Sequence, residues 1–366
     1  MSTPSIVLAG GGTAGHTSPL IATAQALKDA CPDVKLTCIG TERGLETKVI
    51  PAAGLDLELI PAVPMPRRPN ADLVKLPVRL SNAMRRSRRI LRESGANVVV
   101  GYGGYVSTPA YLAARSLRIP VVIHEQNVRP GMANKLGARF AAKVFTTFPA
   151  TALPSGVRIG LPARKQITEL ALAEDRDVVR KLARKQFGLP EDGPVLLVSG
   201  GSQGAKTLND ATIGALDQLL WKGISVLHVW GPKNYPKDAV IRQHESGARY
   251  VPVDYVDNMP DAYAAADFML ARSGAGTVVE TAMVGLPAIF VPLAIGNGEQ
   301  ALNAHESVAA GAAVLIANSE LSAARLMDEV HVLLGPGRLR KMRKAASALM
   351  PADAAKKLAH EILELA

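Results

Sequence analysis

Short segments of continuous apolar residues recur along the chain and alternate with longer amphipathic stretches. They are, in the first half, Ser5–Ala9, Lys35–Ile39, Asn97–Val100, Val121–His124 and Lys143–Thr147, and in the second half, Val195–Ser199, Ser225–Trp230, Asp267–Ala271, Ala288–Val291 and Ala313–Ile316. Apolarity without alternation is typical of strands that are covered on both faces, as in a parallel sheet between two layers of helices. The pattern therefore predicts an α/β protein with doubly wound sheets.

A chain of 366 residues is long enough for two such domains, and an internal similarity supports two. Gly11–Gly15 (GGTAG) follows the first predicted strand, and Gly200–Gly204 (GGSQG) follows Val195–Ser199 at an offset of 189 residues. Two glycine-rich turns can also resemble each other by chance. Because both halves share the same order of strands and helices, we predict two Rossmann-like domains, residues 1–163 and 164–350. The junction is expected in the proline- and glycine-rich stretch around Ser155–Lys165.

The first glycine loop, Gly10–Gly15, fits the G-x-G-x-x-G fingerprint of dinucleotide binding. That fingerprint also needs an acidic residue at the end of the next strand, where this chain has Gly40–Thr41 and reaches Glu42 only beyond the strand. We therefore disfavour a nicotinamide cofactor. Main-chain N–H groups of a glycine loop at a helix start bind phosphate, so the two loops predict two phosphate-bearing substrates in a cleft between the domains.

Candidate catalytic and binding side chains follow the predicted strands. His16 begins a helix, where the dipole disfavours protonation, so its neutral ring can accept a proton from a hydroxyl near pH 7. A capping or structural histidine is the simpler alternative. Glu280 could accept both ribose hydroxyls of a nucleotide, or could be a glutamate that the helix dipole favours. Gln300 and Asn303 share one helix face and could bind sugar hydroxyls, or could be ordinary polar surface residues.

The composition narrows the class of partner. A net charge of +10 and a pI near 9.6 indicate an anionic partner. Nucleic acid is not expected, because aromatic residues make up only 4% and no binding motif is found. Cys31 and Cys38 do not form a C-x-x-C pair and are interpreted as reduced. No targeting segment is recognised and no apolar segment approaches the ~18 residues that span a bilayer, which predicts a cytoplasmic protein that can still touch a membrane.

No metal or other cofactor is expected. The sequence has no Cys/His cluster with ligand spacing, and Asp175-Arg176-Asp177 lies in a polar helical stretch. It also has neither a G-x-S-x-G motif nor a P-loop.

A basic segment between Pro61 and Glu93 carries a net charge of +7 out of the +10 of the whole chain. Its basic residues are Arg67, Arg68, Lys75, Arg79, Arg85, Arg86, Arg88, Arg89 and Arg92. Apolar residues recur among them at helical spacing, namely Leu73, Leu76, Leu80, Met84 and Leu91. Pro77 predicts that the continuous helix begins there. The segment could be an ordinary surface helix with its apolar side in the core, but we favour docking on anionic lipid headgroups.

Six short motifs occur together in a fixed order. They are Gly11–His16 (GGTAGH), Gly103–Tyr105 (GGY), His124–Asn127 (HEQN), Gly200–Ala205 (GGSQGA), Arg272–Ala275 (RSGA) with Glu280, and Gln300 with Asn303. In this order they resemble the MurG family, the N-acetylglucosaminyltransferases of peptidoglycan synthesis, over roughly Ile6–Asn303. The resemblance implies two facing Rossmann-like domains with a cleft between them (the GT-B architecture) and a closing segment, residues 351–366, that packs back on the first domain.

The resemblance also implies the reaction and its location. N-acetylglucosamine would pass from UDP-N-acetylglucosamine, with inversion and without a metal, to the C4 hydroxyl of the muramyl sugar in undecaprenyl-diphosphate-linked muramyl pentapeptide (lipid I). The products would be lipid II and UDP. The enzyme would lie peripherally on the cytoplasmic face of the membrane, against the anionic inner leaflet.

Site residues follow from the same motifs. The acceptor diphosphate and the donor sugar would meet at Thr13, Ala14, Gly15 and His16, with Tyr105 and Asn127 on the same side. His16 is the candidate base, and His124 and Glu125 are weaker candidates. The residues expected to bind the UDP-sugar are Ser202, Gln203, Ala275, Gly276, Thr277 and Glu280, with Arg164 on the phosphates, Val256 on uracil, and Gln300 and Asn303 on the sugar.

Three positions depart from the family pattern. Ala14 stands where glycine is common, which fits only if its φ is negative. Leu161-Pro162 replaces the usual Asn-Pro, and Pro64–Asn70 is unlike the family's shorter loop. Another UDP-sugar glycolipid transferase is the nearest alternative. A nicotinamide oxidoreductase and a non-catalytic lipid-binding scaffold are the alternatives from other classes.

Overall fold

The computed structural model of the chain describes residues 3–42, 44–63, 72–201, 204–293 and 298–366. The chain forms two compact units. The first unit combines Met1–Arg164 with Pro351–Ala366, and the second is the continuous segment Lys165–Met350. The division falls after Arg164, against an expected division after Ala163.

The first unit contains a seven-stranded sheet in the order β3-β2-β1-β4-β5-β6-β7, in which all neighbours are parallel. The strands, numbered in chain order, are β1 (Ser5–Ala9), β2 (Lys35–Thr41), β3 (Asp56–Ile60), β4 (Val98–Gly101), β5 (Val121–Glu125), β6 (Lys143–Thr146) and β7 (Gly156–Arg158). The helices are α1 (Ala14–Ala30), α2 (Glu46–Ala52), α3 (Asp72–Glu93), α4 (Ser107–Ser116), α5 (Met132–Gly137) and α14 (Ala354–Leu363).

The second unit repeats this arrangement, with the order β10-β11-β9-β8-β12-β13-β14 and one antiparallel pair, β10 with β11. Its strands are β8 (Val195–Ser199), β9 (Ser225–Val229), β10 (Arg242–Gln243), β11 (Arg249–Val253), β12 (Phe268–Ala271), β13 (Ala288–Phe290) and β14 (Ala313–Leu315). Its helices are α6 (Lys165–Ala171), α7 (Arg176–Gln186), α8 (Lys206–Trp221), α9 (Met259–Ala265), α10 (Ala275–Met283), α11 (Glu299–Ala309), α12 (Ala323–Leu333) and α13 (Arg338–Ser347).

The central strands are apolar on both faces because a separate core lies on each side of the sheet. In β1, Ile6 and Leu8 belong to the core that α1 and α14 cover, whereas Val7 and Ala9 belong to the core that α3 and α4 cover. This is the burial that continuous apolar segments predict.

The closing helix α14 is part of the first unit. Leu358 and Ile362 are fully buried in one core with Leu20 and Leu27 of α1. Lys143 of β6 donates hydrogen bonds of 2.6 and 2.7 Å to carboxylates of this C-terminal segment.

Helix α3 corrects one expectation, since it begins at Asp72 and not at Pro77. Proline removes one main-chain donor, but Leu76 before it and Leu80 after it both pack on the core, so the helix continues through it. No helix in the described parts of the chain is long and apolar enough to cross a membrane.

Candidate active site

The predicted residues of the first unit lie on the loops that follow β1, β4 and β5. In the sheet order, β1 and β4 are neighbours, and the chain leaves this pair in opposite directions. The carboxyl edge at such a switch point is where open parallel sheets bind ligands. The hydroxyl of Ser107, at the start of α4, donates 3.1 Å to the carbonyl of Ala9 and so ties the loop after β4 to the end of β1.

Helix α1 begins inside the first glycine motif, at Ala14. Ala14 is not among the non-glycine residues with positive φ, which in the described chain are Arg118 and Ser155. The alanine therefore fits the loop where the family often has glycine. Gly12 does need its lack of a side chain, because its φ is 92°.

His16 lies half-buried in the first turn of α1. Its Nδ1 is 3.2 Å from the hydroxyl of Thr13. Its Nε2 and the amide nitrogen of Asn134 each lie 3.4 Å from the point that a Cβ on Gly103 would occupy. Burial lowers the pKa of His16, and a hydrogen bond to the backbone of Gly11 and the charge of Glu46 offset part of this. The lowered pKa favours the neutral ring that a general base needs.

Glu46, which sequence reasoning missed, lies on the inner side of the loop after β1. It has no exposed surface, and its carboxylate accepts hydrogen bonds from Gly12 N (2.8 Å), Thr41 N (2.9 Å) and Thr41 Oγ1 (2.8 Å). Burial raises the pKa of Glu46, but these hydrogen bonds outweigh it and hold the pKa below the usual value. One N–H group of the predicted phosphate loop is therefore bonded within the protein. The sequence feature that could have indicated Glu46 is a glutamate shortly after the second strand, close to Gly40 and Gly44.

Glu125 ends β5 and holds the loop that follows. Its Oε1 accepts from Asn127 N at 2.9 Å, and its Oε2 accepts from Gly131 N at 3.0 Å and Asn134 Nδ2 at 2.8 Å. Burial raises its pKa, although these bonds act the other way. Tyr111 donates to Asn134 at 2.8 Å and extends the network. Asn134 and Tyr111 carry no motif and were also missed.

His124 is fully buried, with its Nε2 2.8 Å from the carbonyl of Gly160. Burial lowers the pKa of His124 to about 4. The His124 ring thus links β5 to the segment after β7 inside the first unit. Of the three base candidates, His16 has the most exposed surface, since Glu125 is only 2% exposed.

The remaining predicted residues of this unit differ in exposure. Tyr105 is 52% exposed and available to a ligand. Asn127 is half-buried, and its main-chain N–H donates to Glu125. Arg164 is half-buried at the end of the unit, and its Nε is buried without a hydrogen-bond partner in the described chain.

In the second unit, the predicted nucleotide residues lie at the start of α10, directly after β12. Strand β12 neighbours β8, so this is the switch point of the second sheet. Ala275, Gly276 and Thr277 form the first turn of α10. A Cβ added to Gly274 or Gly276 would meet no atom within 4 Å, so there is open space beside this helix start.

Glu280 lies one turn further along α10. The hydroxyl of Tyr263, a buried residue of α9, donates a 2.8 Å hydrogen bond to Glu280 Oε2. This contact orients the carboxylate, and it could not be predicted from the sequence because the two residues belong to different helices. Val256, in the loop before α9, is 8% exposed.

Gln300 and Asn303 both lie on α11 but are buried differently. Gln300 is half-buried, and its Oε1 accepts a 2.9 Å hydrogen bond from Leu293 N. Asn303 has no exposed surface.

Ser202 and Gln203, the predicted residues of the second glycine loop, lie outside the described residues. So do Arg67, Arg68 and the whole Pro64–Asn70 segment. The flanking Gly204 has a φ of 71°, and a Cβ there would overlap the carbonyl oxygen of Trp230. Gly204 therefore packs closely against the residue that follows β9.

The described residues contain no group of three or more His, Cys, Asp or Glu that could hold a metal ion. Cys31 and Cys38 are both free thiols.

Two family models match the chain. The Glycosyltransferase family 28 N-terminal domain matches residues 6–146, and the Glycosyltransferase family 28 C-terminal domain matches residues 195–361. The chain belongs to glycosyltransferase family 28. The predicted enzyme class and the two Rossmann-like parallel-sheet domains are thereby confirmed.

Family 28 relatives cover almost the whole chain. A protein of Cutibacterium acnes named UDP-N-acetylglucosamine--N-acetylmuramyl-(pentapeptide) pyrophosphoryl-undecaprenol N-acetylglucosamine transferase is 54% identical over 363 residues, 99% of this chain and 97% of its own length. A protein of Nocardioides sp. with the same name is 52% identical over 98% of each chain. The crystal structure of Acinetobacter baumannii MurG matches with a TM-score of 0.77 and 26% identity, over 99% of this chain and 100% of that one. The resemblance to the MurG family is confirmed.

Proposed function

We propose that this protein transfers N-acetylglucosamine from UDP-N-acetylglucosamine to the C4 hydroxyl of the muramyl sugar in undecaprenyl-diphosphate-linked muramyl pentapeptide, as a step of peptidoglycan synthesis. The observation that carries the proposal is 54% identity over 363 residues to a relative named for this transfer. A transfer from another UDP-sugar to another glycolipid is the alternative within the same class.

The second unit binds the donor in this proposal. Its diphosphate lies at the start of α10, where the N–H groups of Ala275–Thr277 and the helix dipole favour an anion. Glu280, oriented by Tyr263, accepts the ribose hydroxyls. Gln300, with Asn303 beside it on α11, contacts the sugar. Ser202 and Gln203 also bind the UDP-sugar, and Arg164 adds positive charge beside the phosphates. The main chain at Val256 contacts uracil.

The first unit supplies the base. His16 accepts the proton of the C4 hydroxyl while the hydroxyl oxygen attacks the anomeric carbon of the donor sugar. The bond from that carbon to the UDP oxygen breaks on the opposite side, so the configuration inverts and UDP leaves with the electron pair. Thr13, Ala14, Gly15, Tyr105 and Asn127 position the acceptor. Preorganised positive charge at α10 and Arg164 stabilises the leaving diphosphate.

His16→Ala tests this assignment. Loss of a general base should lower kcat by about 10² to 10⁴. The affinity for UDP should remain within twofold, because the proposed UDP contacts lie on other elements. His331→Ala, which removes an exposed histidine of α12, is the matched control.

The assay offers UDP-N-acetylglucosamine, UDP-glucose and UDP-N-acetylgalactosamine in turn with a lipid I analogue, and UDP affinity is measured by calorimetry. An unchanged kcat in His16→Ala would remove His16 from the mechanism. Preference for another donor would favour the alternative, and no transfer from any donor would contradict the proposed function.

We also infer that the enzyme works as a peripheral protein on the cytoplasmic face of the membrane, with α3 against anionic lipid of the inner leaflet. Lys75, Val78, Arg85, Arg89 and Arg92 are all exposed and follow each other at spacings that place them along one side of α3. Leu76, Leu80 and Leu91 pack in the core while Val78 is exposed beside the basic residues, so a membrane would meet a mainly charged side. This arrangement supports electrostatic docking rather than deep insertion.

A further inference from the structure

A buried carboxylate holds the loop that leads to His16. The N–H of the Gly11–Gly12 peptide belongs to Gly12 and donates to Glu46 Oε2 at 2.8 Å. The next residue, Thr13, directly precedes α1, and its hydroxyl lies 3.2 Å from Nδ1 of His16. The charge of Glu46 also raises the pKa of this ring. Carboxylate, loop and imidazole therefore form one chain of contacts.

The surroundings of Glu46 fix this chain in place. A Cβ on Gly40 would lie 2.6 Å from Glu46 Cγ, and a Cβ on Gly11 or Gly44 would overlap its carboxylate. On the other side of the peptide, a Cβ on Gly104 would lie 2.5 Å from the Gly11 oxygen. Larger residues at these positions would displace either the carboxylate or the peptide. The close packing leaves the carboxylate one position, with Thr41 donating to it twice.

The charge on Glu46 is not cancelled by an ion pair in the described chain. The groups that hold its pKa down are N–H groups and a hydroxyl, and no cation is among them. Its charged neighbours in sequence, Glu42 and Lys48, are exposed, and Arg43 lies outside the described residues. Of the titratable groups on the facing helix α1, His16 lies in the first turn and Lys28 and Asp29 lie near the other end, and Glu46 is the charged group that acts on the pKa of His16.

We propose that Glu46 is a positioning residue that acts through Gly12 and Thr13 of the glycine loop to orient His16 and to stabilise the imidazolium formed when His16 accepts the acceptor's proton. A neutral ring whose Nδ1–H donates to the Thr13 hydroxyl keeps Nε2 unprotonated and ready to accept a proton. The negative charge of the buried carboxylate favours the protonated form of this ring. The inference rests on the proposed function for the role of His16.

Glu46→Gln tests the inference because it keeps the size of the side chain and removes its charge. The pKa of His16 should fall below its value in the wild-type protein, since the charge that favours the protonated ring is gone. The acidic limb of the kcat/KM profile should then move to lower pH, because activity is lost only where the base becomes protonated. We expect kcat to fall about 10-fold or more, with the KM for UDP-N-acetylglucosamine within twofold.

The pKa is measured by NMR on protein with ring-labelled histidine, and the His16 signal is assigned by its loss in His16→Ala. Thr41→Val is the matched control, since it removes one donor to the same carboxylate but keeps the charge and the Gly12 bond. It should lower stability and leave the His16 pKa and the acidic limb in place. Glu46→Asp, which withdraws the charge from Gly12, should give an intermediate pKa and serves if the glutamine variant does not fold.

An unchanged His16 pKa in the Glu46 variants would overturn the inference, as would an equal shift in Thr41→Val, which would indicate a merely structural role. The NMR titration needs no turnover. Absence of transfer by the wild-type protein would therefore contradict the proposed function without deciding the link between Glu46 and His16.

Discussion

His228, a residue of β9, shows how burial fixes a titratable group beside the second glycine loop. Its ring nitrogens lie 3.2 Å from the hydroxyl of Tyr250 and 3.1 Å from Asn209 Oδ1, and its ring stacks on Trp230 at 4.4 Å. Asn209 also donates to the carbonyl of Trp230, the group that Gly204 packs against. Burial lowers the pKa of His228 to about 3. The ring therefore stays neutral and keeps this network intact.

The lowered pKa makes the second unit less stable in acid. The unfolded chain binds a proton at His228 below pH 6.5, whereas the folded chain binds it only near pH 3. The contribution of the neutral ring to the free energy of unfolding is therefore fully present above pH 6.5 and is lost as the pH falls towards 3. Between pH 7 and pH 5 this residue should contribute a loss of about 2 kcal/mol. Urea unfolding followed by tryptophan fluorescence measures it.

His228→Gln should remove this part of the pH dependence, whereas His331→Gln, at an exposed histidine of the same unit, should not. Equal pH dependence in wild type and His228→Gln would contradict the assignment.

Sequence motifs locate His16 at the start of the helix after β1 and Glu125 at the end of β5, while the roles of both residues stay predictions. The sequence misses partners that come from another element, such as Glu46 for Gly12 and Tyr263 for Glu280. The dinucleotide test expected an acid at the end of the second strand to hold a ribose. The strand has no acid at its end; Glu46 lies five residues beyond Thr41, at the start of α2, and binds the glycine loop itself. Spacing along the chain cannot show such a contact, because it depends on how the loop folds back.

At the scale of elements, the hydrophobic pattern predicts the strands inside the sheets and one edge strand, β14, and the strands that it misses lie at or next to the edges. Strands β3, β7 and β10 are the edge strands that were missed, and β11 is next to an edge. β3 (DLELI) alternates apolar and polar residues, and all of β7 is exposed. A search for continuous apolarity fails there, because an edge strand is not covered on both faces.

Helix α3 illustrates a second limit of the hydrophobic pattern. Its sequence is compatible with an ordinary surface helix and with a lipid-docking helix, and the structure has features of both. Leu76, Leu80 and Leu91 pack in the core, as in an ordinary surface helix, and a separate exposed side is formed by Lys75, Arg85, Arg89 and Arg92. That separation leads to a prediction for vesicles. Arg85→Gln with Arg89→Gln should weaken binding to vesicles that contain phosphatidylglycerol by about 30-fold, at about 1 kcal/mol per residue.

The vesicle assay is co-sedimentation at several salt concentrations, with pure phosphatidylcholine as the neutral surface. Arg338→Gln with Arg340→Gln, at exposed arginines of α13, is the matched double variant. An equal loss in both double variants would mean that net charge, and not α3, governs binding. Full binding by the α3 variant would contradict the docking proposal.

At the scale of the whole molecule, each unit has its own sheet and its own cores, and the first unit is built from two separate stretches of chain. Both tryptophans of the chain, Trp221 and Trp230, belong to the second unit. Tryptophan fluorescence therefore reports the second unit, while circular dichroism reports both.

Leu358→Ala tests whether the two units unfold independently. Leu358 is fully buried against α1, so its truncation should cost the first unit about 2–5 kcal/mol. The dichroism transition in urea should begin earlier, and the fluorescence transition should stay in place. Leu216→Ala, in the core of the second unit, should do the reverse. If Leu358→Ala shifts both transitions together, the units unfold as one.

The return of α14 to the first unit has a consequence for how the protein is made. Residues 165–350 form a continuous unit that can fold once they have been synthesised. The first unit, although made earlier, lacks the residues that cover Leu20 and Leu27 until 351–366 have left the ribosome. At about 5–20 residues per second, those side chains wait roughly 10–40 s without their partners. During translation, the half of the enzyme that is made first is completed last, and for that interval it presents an apolar surface on which a chaperone can act.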